Sequence, residues 1–278
     1  MDTPDIVLND GNVIPQIGLG VWTLNADETL HSLENAIAAG YRHFDTAMIY
    51  RNESAVGRSI ASASVPREEL FVTTKLWNSD HGYDATLFAY EASLKRLGLK
   101  AIELYLIHWP VPAIGRFVES WRAMIRLRDE GRVRSIGVCN FNADHLDRLI
   151  TNTGVTPAVN QIEIHPDFPQ NELVRQCRSL GIHVEAWSPL GQGGQILRSP
   201  IIARIAERHR RTSAQIILRW HVEQGFIVIP RSRNAERIRE NITIFDFAFD
   251  DEDRAALETL ANGRRIGPDP DIYNDLQA

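Results

Sequence analysis

The sequence predicts an α/β fold, a closed (β/α)8 TIM barrel, and three observations support that prediction. Short apolar or β-branched runs alternate with longer amphipathic stretches along almost all of the 278 residues, which is typical of βα units on a parallel sheet. Eight of the short runs qualify as strands, the number that this barrel requires. No repeat, linker or low-complexity tract interrupts the chain, so we predict a single domain over residues 1–278.

Turn signals and apolar periodicity predict the elements in order. Asp10-Gly11 suits a tight turn, so an N-terminal β-hairpin is expected around residues 9–12. The barrel strands follow at 17–19, 42–45, 70–74, 103–107, 135–138, 158–162, 183–186 and 226–229. Amphipathic helices are expected at 27–39, 52–62, 84–97, 116–130, 142–151, 170–180, 200–209, 213–223 and 234–241. A stretch at 250–261 is predicted as an extra C-terminal helix.

A doubly wound parallel sheet is the alternative fold. Such a sheet usually holds its nucleotide with a G-x-G-x-x-G turn after the first strand. Gly18-Leu19-Gly20 lies at that point, but no third glycine follows at the required spacing. The barrel is therefore the favoured architecture.

Composition excludes several classes of protein. Thirty Lys and Arg against 36 Asp and Glu give a net charge of −6, whereas nucleic-acid binding needs a basic face. No apolar run approaches the ~18 residues of a membrane span, and the acidic start of the chain lacks the pattern of a secretory signal. Two cysteines cannot build a disulfide framework. We therefore expect a cytoplasmic protein with no nucleic-acid or membrane partner.

Polar and aromatic residues follow the predicted strands, at the end of the barrel where active sites lie. Singly, such residues have ordinary explanations as helix caps, structural histidines or solvated lysines. Their joint placement on one face favours an active site. The residues are Trp22, Asp45, Tyr50, Lys75, Trp77, His108, Trp109, Cys139, Asn140, Gln161, Trp187, Ser188, Arg231 and Ser232.

Four of these residues indicate a chemistry. Tyr50 would ionise near pH 10, and the ammonium group of Lys75 can lower its pKa. Lys75 needs an anion to stay protonated in a cleft, and Asp45 is the candidate. His108 can donate to a carbonyl oxygen and orient it toward Tyr50. The set fits protonation of an oxygen that gains charge as hydride reaches a carbonyl carbon, and hydride chemistry needs a cofactor.

Other chemistries are not indicated. The nine histidines show no H-E-x-x-H or comparable spacing, so no metal is expected. No arrangement of nucleophile, base and orienting group suggests acyl transfer.

Seven short motifs occur in order along the chain. They are Gly40-Tyr41-Arg42-His43-Phe44-Asp45-Thr46-Ala47 with Tyr50, Thr74-Lys75-Leu76-Trp77, Leu106-Ile107-His108-Trp109-Pro110, Ser135-Ile136-Gly137-Val138-Cys139-Asn140-Phe141, Asn160-Gln161-Ile162-Glu163, Trp187-Ser188-Pro189-Leu190-Gly191, and Ile229-Pro230-Arg231-Ser232 with Arg237, Glu240 and Asn241. In these motifs the chain resembles the aldo-keto reductase family, over about residues 6–253. The segments 6–12 and 75–78 and Trp187 resemble the bacterial 2,5-diketo-D-gluconate reductases.

The resemblance implies NADPH-dependent reduction of a carbonyl to an alcohol. The implied catalytic tetrad is Asp45, Tyr50, Lys75 and His108, with Tyr50 as the general acid. The implied cofactor-binding residues are Cys139, Asn140, Gln161, Trp187, Ser188, Leu190, Gln192, Arg231, Ser232, Arg233, Arg237, Glu240 and Asn241.

The resemblance also implies a role for each part of this set. Asn140 and Gln161 would hold the nicotinamide carboxamide, and Trp187 would stack on the ring. Ser188, Leu190 and Gln192 would line the pyrophosphate, and Glu240 with Asn241 would hold the adenine. Guanidinium groups hold a dianion well, so Arg231, Ser232 and Arg237 would surround the 2′-phosphate. The competing interpretation is a solvated basic helix face of Arg231, Arg233, Arg237 and Arg239.

Two positions depart from the family pattern. Cys139 stands where serine is frequent, which removes a good hydroxyl donor beside the carboxamide. Arg231 stands where lysine is common, and it keeps the positive charge. We expect binding of the phosphate to survive.

The predicted substrate pocket is formed by Trp22, Trp77, His108 and Trp109, with the tail from residue 263 onward. The loop 111–115 after the fourth barrel strand is short. It favours small polar carbonyls, such as aldehydes, ketones or keto-sugar acids including 2,5-diketo-D-gluconate, over a steroid. The resemblance further implies a monomer.

Two other functions stay open at this point. One is a non-catalytic NADPH-binding sensor or regulatory subunit. The other is a lyase in which Lys75 forms a Schiff base, and that mechanism needs Lys75 to be neutral.

Overall fold

The computed structural model describes residues 3–277, and its first feature is the N-terminal β-hairpin. Strands β1 (Asp5–Val7) and β2 (Val13–Pro15) pair antiparallel. Gly11 in the turn has a φ of +83°, a conformation that glycine adopts without steric cost. Ile14 is fully buried and packs with side chains of the barrel interior, among them Leu104 and Val159. The hairpin that the turn signal predicts is present, and it covers one end of the barrel.

Eight parallel strands form the barrel in sequence order. They are β3 (Gly18–Gly20), β4 (His43–Asp45), β5 (Phe71–Leu76), β6 (Ile102–Ile107), β7 (Val133–Cys139), β8 (Val159–Glu163), β9 (His183–Trp187) and β10 (Ile227–Val228). The ring is closed between its first and last strands, because Ile17 bridges Val228 and the Val228 N–H donates to the Gln16 carbonyl at 2.9 Å. The predicted fold class is confirmed.

Ten α-helices accompany the strands in the part of the chain that the structure describes. They are α1 (Ala26–Ala39), α2 (Glu53–Ala61), α3 (Tyr83–Leu97), α4 (Phe117–Asp129), α5 (Ala143–Thr153), α6 (Asn171–Ser179), α7 (Pro200–His209), α8 (Ser213–Glu223), α9 (Ala235–Ile242) and α10 (Asp251–Glu258). The predicted helices and the extra C-terminal helix α10 are all present, with ends that differ by a few residues. No helix among residues 3–277 is long and apolar enough to cross a membrane.

Helix α1 shows how local sequence sets these boundaries. The Asn25 side chain accepts from the Glu28 N–H at 2.9 Å, and the Glu28 carboxylate accepts from the Asn25 N–H at 3.1 Å, which forms a capping box. The helix ends at Gly40, where φ is +104°. Leu33 and Ile37 face the core. The helix is therefore held between defined ends on the outside of β3.

The eighth barrel strand is shorter than predicted. It spans only Ile227–Val228, whereas the apolar run 226–229 suggested four residues. Pro230 follows this run and has no N–H to donate to a ladder. Its carbonyl still accepts from the Gly20 N–H at 3.2 Å, so the closure with β3 continues past the strand.

Candidate active site

The carboxyl ends of the strands surround one elongated cavity of about 1350 Å³. Its wall contains Asp45 from β4, Trp187 from β9 and residues from the following loops. Of the residues that the sequence placed in the site, 18 line it: Trp22, Asp45, Tyr50, Trp77, His108, Trp109, Asn140, Gln161, Trp187, Ser188, Leu190, Gln192, Arg231, Ser232, Arg233, Arg237, Glu240 and Asn241. Lys75 and Cys139 do not line the cavity and lie behind its wall.

Lys75 and Asp45 form a buried ion pair at the base of the cavity. The Lys75 Nζ donates to both carboxylate oxygens of Asp45, at 2.6 and 2.8 Å, and to the Thr46 carbonyl at 2.9 Å. Lys75 is fully buried. Its Nζ lies 5.2 Å from the centre of the Tyr50 ring, so an ammonium charge stands directly behind the tyrosine.

Tyr50 and His108 stand together in front of this pair. Their rings meet edge to face with centres 5.7 Å apart, and the Trp77 ring lies 5.2 Å from His108 on another side. The His108 Nδ1 is buried with no hydrogen-bond partner among the described residues. The structure therefore brings the four predicted catalytic residues into one cluster.

The protonation states follow from burial and from the ion pair. Burial by itself lowers the pKa of Lys75, but the charge and hydrogen bond of Asp45, together with contributions from Tyr50 and Cys139, outweigh burial and raise that pKa above its usual value. Burial and the Lys75 charge both lower the pKa of His108 well below its usual value, so its imidazole is neutral at pH 7. A neutral imidazole has one N–H to donate.

Tyr50 differs from the sequence-based expectation. Burial raises the pKa of Tyr50 above its usual value, and the Lys75 charge, which lowers it, does not outweigh burial. Tyr50 therefore stays protonated across the physiological range. The expectation of a lowered pKa is wrong for this structure because it omitted the cost of ionising a phenol in a desolvated pocket.

Two amide side chains stand beside the cluster, and both are already hydrogen-bonded. Gln161 donates through Nε2 to Asp45 and to Glu185, each at 2.9 Å. Asn140 donates to the His108 carbonyl at 3.0 Å and accepts from the Trp187 indole N–H at 2.8 Å. These contacts fix the orientation of both amides and of the indole ring.

Cys139 has a different position from the one expected. Its thiol is fully buried and donates to the Gln161 Oε1 at 3.6 Å. Burial raises the pKa of this thiol well above its usual value. Cys139 is thus an uncharged neighbour of Gln161 and not part of the cavity wall.

Several residues of the wall hold left-handed backbone. Asn140 and Ser188 follow β7 and β9 with φ of 60° and 49°, and Thr23 and Gln192 have φ of 62° and 54°. Non-glycine residues rarely adopt this conformation, and they cluster at functional sites when they do. The strain is concentrated at the carboxyl ends of the strands.

The far end of the cavity is rich in guanidinium groups. Arg231 donates to the Thr23 hydroxyl at 2.9 Å, and Arg233 pairs with Glu28 at 2.9 Å. Arg237 has no side-chain hydrogen bond or ion pair within residues 3–277 and lines the same end. This end therefore suits an anionic group, whereas the opposite end is aromatic.

The C-terminal tail covers the aromatic end. The Tyr273 ring packs on Trp109 with centres 4.4 Å apart. The Trp77 indole N–H donates to the Gln277 carbonyl at 2.7 Å. Trp22 is 46% exposed and stands at the rim. The predicted aromatic wall and the contribution of the tail are both present.

The sequence-based reasoning included the tail as a whole but did not single out four buried or covering residues. Glu185 contacts Gln161 from inside the barrel, Glu163 binds the tail, and Tyr273 and Asp275 cover the cavity. Glu185 lies on the predicted strand 183–186, where a carboxylate is unusual and was a usable signal, and Glu163 directly follows the predicted strand 158–162. The tail has no periodic pattern that would place it over the barrel. Among residues 3–277 no cluster of His, Cys, Asp and Glu could hold a metal ion.

These features define the class of the protein: a (β/α)8 barrel whose cavity lies at the carboxyl ends of the strands, where barrel enzymes have their active sites. The cavity wall combines a tyrosine in front of a buried ion pair with a cluster of guanidinium groups. The chain belongs to the aldo/keto reductase family, because the model of that family matches residues 16–262. It is 55% identical over 272 residues to an aldo-keto reductase of Mycolicibacterium smegmatis, covering 98% of each chain.

Two further proteins refine this similarity. The methylglyoxal reductase DkgA of Escherichia coli is 48% identical over 275 residues, which cover 98% of this chain and 99% of DkgA. A crystal structure of a Gox0644 variant in complex with NADPH superposes with a TM-score of 0.94 and 46% identity, covering 98% of this chain and 99% of that one. The predicted family is confirmed.

Proposed function

We propose that this protein reduces a carbonyl to an alcohol with NADPH, and that Tyr50 is the general acid. The observation that carries this proposal is the buried Lys75 and Asp45 pair behind a protonated Tyr50 in a cavity that continues to a cluster of arginines. A protonated phenol backed by an ammonium group can give up its proton to an oxygen on which negative charge develops.

The donor set along the cavity fits NADPH from end to end. The Trp187 indole and the Asn140 and Gln161 amides suit the nicotinamide ring and its carboxamide. Ser188, Leu190 and Gln192 follow in the middle of the groove, where the pyrophosphate would lie. Arg231, Ser232 and Arg237 suit a 2′-phosphate dianion, with Arg233 beside them and Glu240 and Asn241 for the adenine. All of these residues stand in the cavity wall.

The side chains of the tetrad have separate roles in the proposed reaction. Bound NADPH supplies the hydride that reduces the carbonyl carbon. The neutral His108 donates an N–H to the substrate oxygen and orients it, and the Tyr50 hydroxyl gives that oxygen its proton. The Lys75 charge stabilises the phenolate that remains, and Asp45 keeps Lys75 protonated and in place.

The proposed substrates are small polar carbonyls, including short aldehydes, ketones and keto-sugar acids such as 2,5-diketo-D-gluconate. The substrate end is bounded by Trp22, Trp77 and Trp109 and covered by Tyr273. The similarity to the methylglyoxal reductase DkgA supports the same choice. NADPH consumption against a panel of methylglyoxal, 2,5-diketo-D-gluconate, β-keto esters and aromatic ketones tests it, and high efficiency only on bulky steroid ketones contradicts it.

The test of the proton donor is Tyr50→Phe. The variant removes the one hydroxyl that we assign as acid, so we expect carbonyl reduction to fall at least ~100-fold while NADPH still binds. Tyr83→Phe removes the same atom away from the cavity and is the matched control. Activity retained in Tyr50→Phe rules out the assignment.

The two alternative functions give different results in these assays. A non-catalytic NADPH-binding subunit would bind NADPH tightly but would not oxidise it with any carbonyl in the panel. A lyase would form a borohydride-trappable adduct on Lys75. The raised pKa of Lys75 and its three hydrogen bonds disfavour such an adduct, because a Schiff base requires a free amine.

We also propose that residues 1–278 act as one domain in a cytoplasmic monomer. Both cysteines are buried free thiols, which suits a reducing compartment. Light scattering on the purified protein measures the mass, and a value of twice the 31.4 kDa chain mass contradicts the monomer.

A further inference from the structure

Glu163, the last residue of β8, is a buried carboxylate that holds the C-terminal tail. Its Oε1 accepts from the Ile266 N–H at 2.6 Å, and its Oε2 accepts from the Gly267 N–H at 2.8 Å. His165 lies 3.0 Å from the same carboxylate. Burial raises the pKa of Glu163, but these contacts outweigh burial and leave that pKa below its usual value. Glu163 is therefore an ionised clamp on two consecutive backbone amides.

The loop after β8 holds the tail at a second point. The other ring nitrogen of His165 contacts the Asp167 carboxylate. The Asp167 carbonyl accepts from the N–H groups of Asn262 and Gly263, each at 3.1 Å. The tail is thus attached at residues 262–263 and again at 266–267, just before it crosses the cavity.

Gly267 packs directly on the predicted nicotinamide-stacking residue. A Cβ on Gly267 would lie 2.4 Å from Cη2 of Trp187 and 3.0 Å from Oε2 of Glu163. The Trp187 indole N–H donates to the Asn140 Oδ1 at 2.8 Å. The indole plane is therefore fixed between Asn140 and the tail backbone that Glu163 holds.

Beyond Gly267 the tail forms the cover of the substrate end. Tyr273 packs on Trp109, and the carbonyls of Asp275 and Gln277 accept from Asn78 and Trp77, each at 2.7 Å. These contacts are single hydrogen bonds and one ring pair. Glu163 supplies two charge-assisted bonds, which are the stronger kind, at the start of the covering segment.

We propose that Glu163 is a positioning residue. Its hydrogen bonds with the Ile266 and Gly267 amides fix the orientation of the Trp187 indole plane and the position of the tail over the cavity. Through these two effects it raises the affinity for the nicotinamide ring and for the carbonyl substrate, without touching the reacting atoms. This inference rests on the proposed NADPH-dependent reduction.

The first experiment measures tail release without any ligand. Trypsin cleaves after Arg265, and it can do so only when the Ile266 amide leaves Glu163. Glu163→Gln replaces one acceptor oxygen with a donor, so we expect cleavage at that bond to accelerate roughly tenfold. Glu172→Gln makes the same charge change at an exposed position of α6 and is the control, with cleavage as in the wild type.

The second experiment separates binding from chemistry. For Glu163→Gln we expect the Kd for NADPH and the KM for the carbonyl to rise roughly tenfold each, with kcat changed less than about threefold. Gly267→Ala keeps both amides and the Glu163 carboxylate but drives a Cβ to within 2.4 Å of Trp187 and 3.0 Å of Glu163 Oε2, so it is expected to raise the NADPH Kd by a similar factor. If both substitutions act through the indole plane, their combined effect on the free energy of NADPH binding is smaller than the sum of their separate effects.

Each outcome decides the inference. Unchanged trypsin cleavage, or faster cleavage with unchanged Kd and KM, overturns it. If Glu163→Gln does not fold by circular dichroism, Gly267→Ala decides, and an unchanged NADPH Kd in that variant overturns the inference. If the wild type reduces no carbonyl, the proposed function fails. The rate of tail cleavage and the NADPH Kd then still test whether Glu163 holds the tail and orients Trp187.

Discussion

At the scale of single residues, a chain of hydrogen bonds links two buried carboxyl groups, Asp45 and Glu185, to one buried ammonium group, Lys75. Asp45 accepts from Lys75 on one side and from Gln161 on the other, and Gln161 also donates to Glu185. Glu185 is fully buried, and its Oε1 has no hydrogen bond within residues 3–277. Lys75, the cation of this array, is paired with Asp45. The His43 Nε2 lies 3.6 Å from the Glu185 Oε1, but burial lowers the pKa of His43 to about 3, so the ring is neutral. Glu185 is therefore the carboxyl whose ionisation burial disfavours.

Glu185 predicts a pH-dependent stability. Burial, with a contribution from the Asp45 charge, raises the pKa of Glu185 to about 8 from an ordinary value of 4.5. Below pH 4.5 the Glu185 carboxyl is protonated in both the folded and the unfolded state, so its burial does not lower the free energy of unfolding. Between pH 4.5 and 8 only the unfolded state releases the proton, so the free energy of unfolding falls as pH rises. Glu185→Gln removes this loss, so it should gain up to about 4 kcal/mol relative to the wild type at pH 8 and little at pH 5.

Urea unfolding of the two proteins at pH 5 and pH 8 measures this difference. Glu172→Gln at an exposed position is the control and should show the same small difference at both values. An equal stability difference for Glu185→Gln at the two pH values means that Glu185 is ionised throughout.

At the scale of elements, polar and glycine contacts tie the helices to the strand that carries Lys75. Glu53 of α2 accepts from the Thr74 hydroxyl of β5 and from Arg96 of α3, both at 2.6 Å. Gly57 of α2 lies against the end of α3, where a Cβ would be 2.0 Å from the Leu97 carbonyl oxygen. The two helices approach closely enough to exclude any side chain at that point.

Gly57→Ala tests this close approach. Alanine favours a helix by ~1 kcal/mol over glycine, but here the clash is with backbone and cannot be relieved by a rotamer change. We expect a net loss of about 2 kcal/mol in the free energy of unfolding, measured by urea denaturation. Ser54→Ala on the exposed face of α2 should change stability by less than ~0.5 kcal/mol. A Gly57→Ala protein as stable as the wild type would show that α2 shifts freely.

At the scale of the whole molecule, one cavity contains both the proposed proton donor, Tyr50, and the arginines proposed to bind the 2′-phosphate. Loops after β3, β9 and β10 and the C-terminal tail all contribute to its wall. Tyr50 and Arg237 stand in different parts of that wall, so binding of the phosphate end and chemistry at the carbonyl are separable.

Arg237→Ala tests that separation. Losing one guanidinium contact to a dianion should raise the KM for NADPH about 10- to 100-fold, with the KM for NADH and the value of kcat nearly unchanged. Arg239→Ala removes the same charge from the same helix at an exposed position outside the cavity wall and is the matched control. Equal effects of the two variants would indicate general electrostatic attraction and no defined phosphate site.

The sequence by itself determined the barrel, the family and which polar side chains would meet at one end of the barrel. Strand periodicity is a local property, and residues after parallel strands meet at one end of a barrel wherever the strands lie. Asp45, Lys75 and His108 could therefore be grouped before any coordinates. Trp121 and Trp220 fall within the predicted helices 116–130 and 213–223, and both are buried in α4 and α8.

Only the tertiary structure decided which groups are desolvated and what the tail does. The pKa of Tyr50 depends on burial as well as on Lys75, and burial is a sum over distant segments. Cys139 is hidden behind Gln161 because its side chain points into the barrel interior. Glu163 holds backbone N–H groups about 100 residues away, and backbone donors carry no side-chain signal in a sequence. For that reason the clamp on Trp187 could be found only in three dimensions.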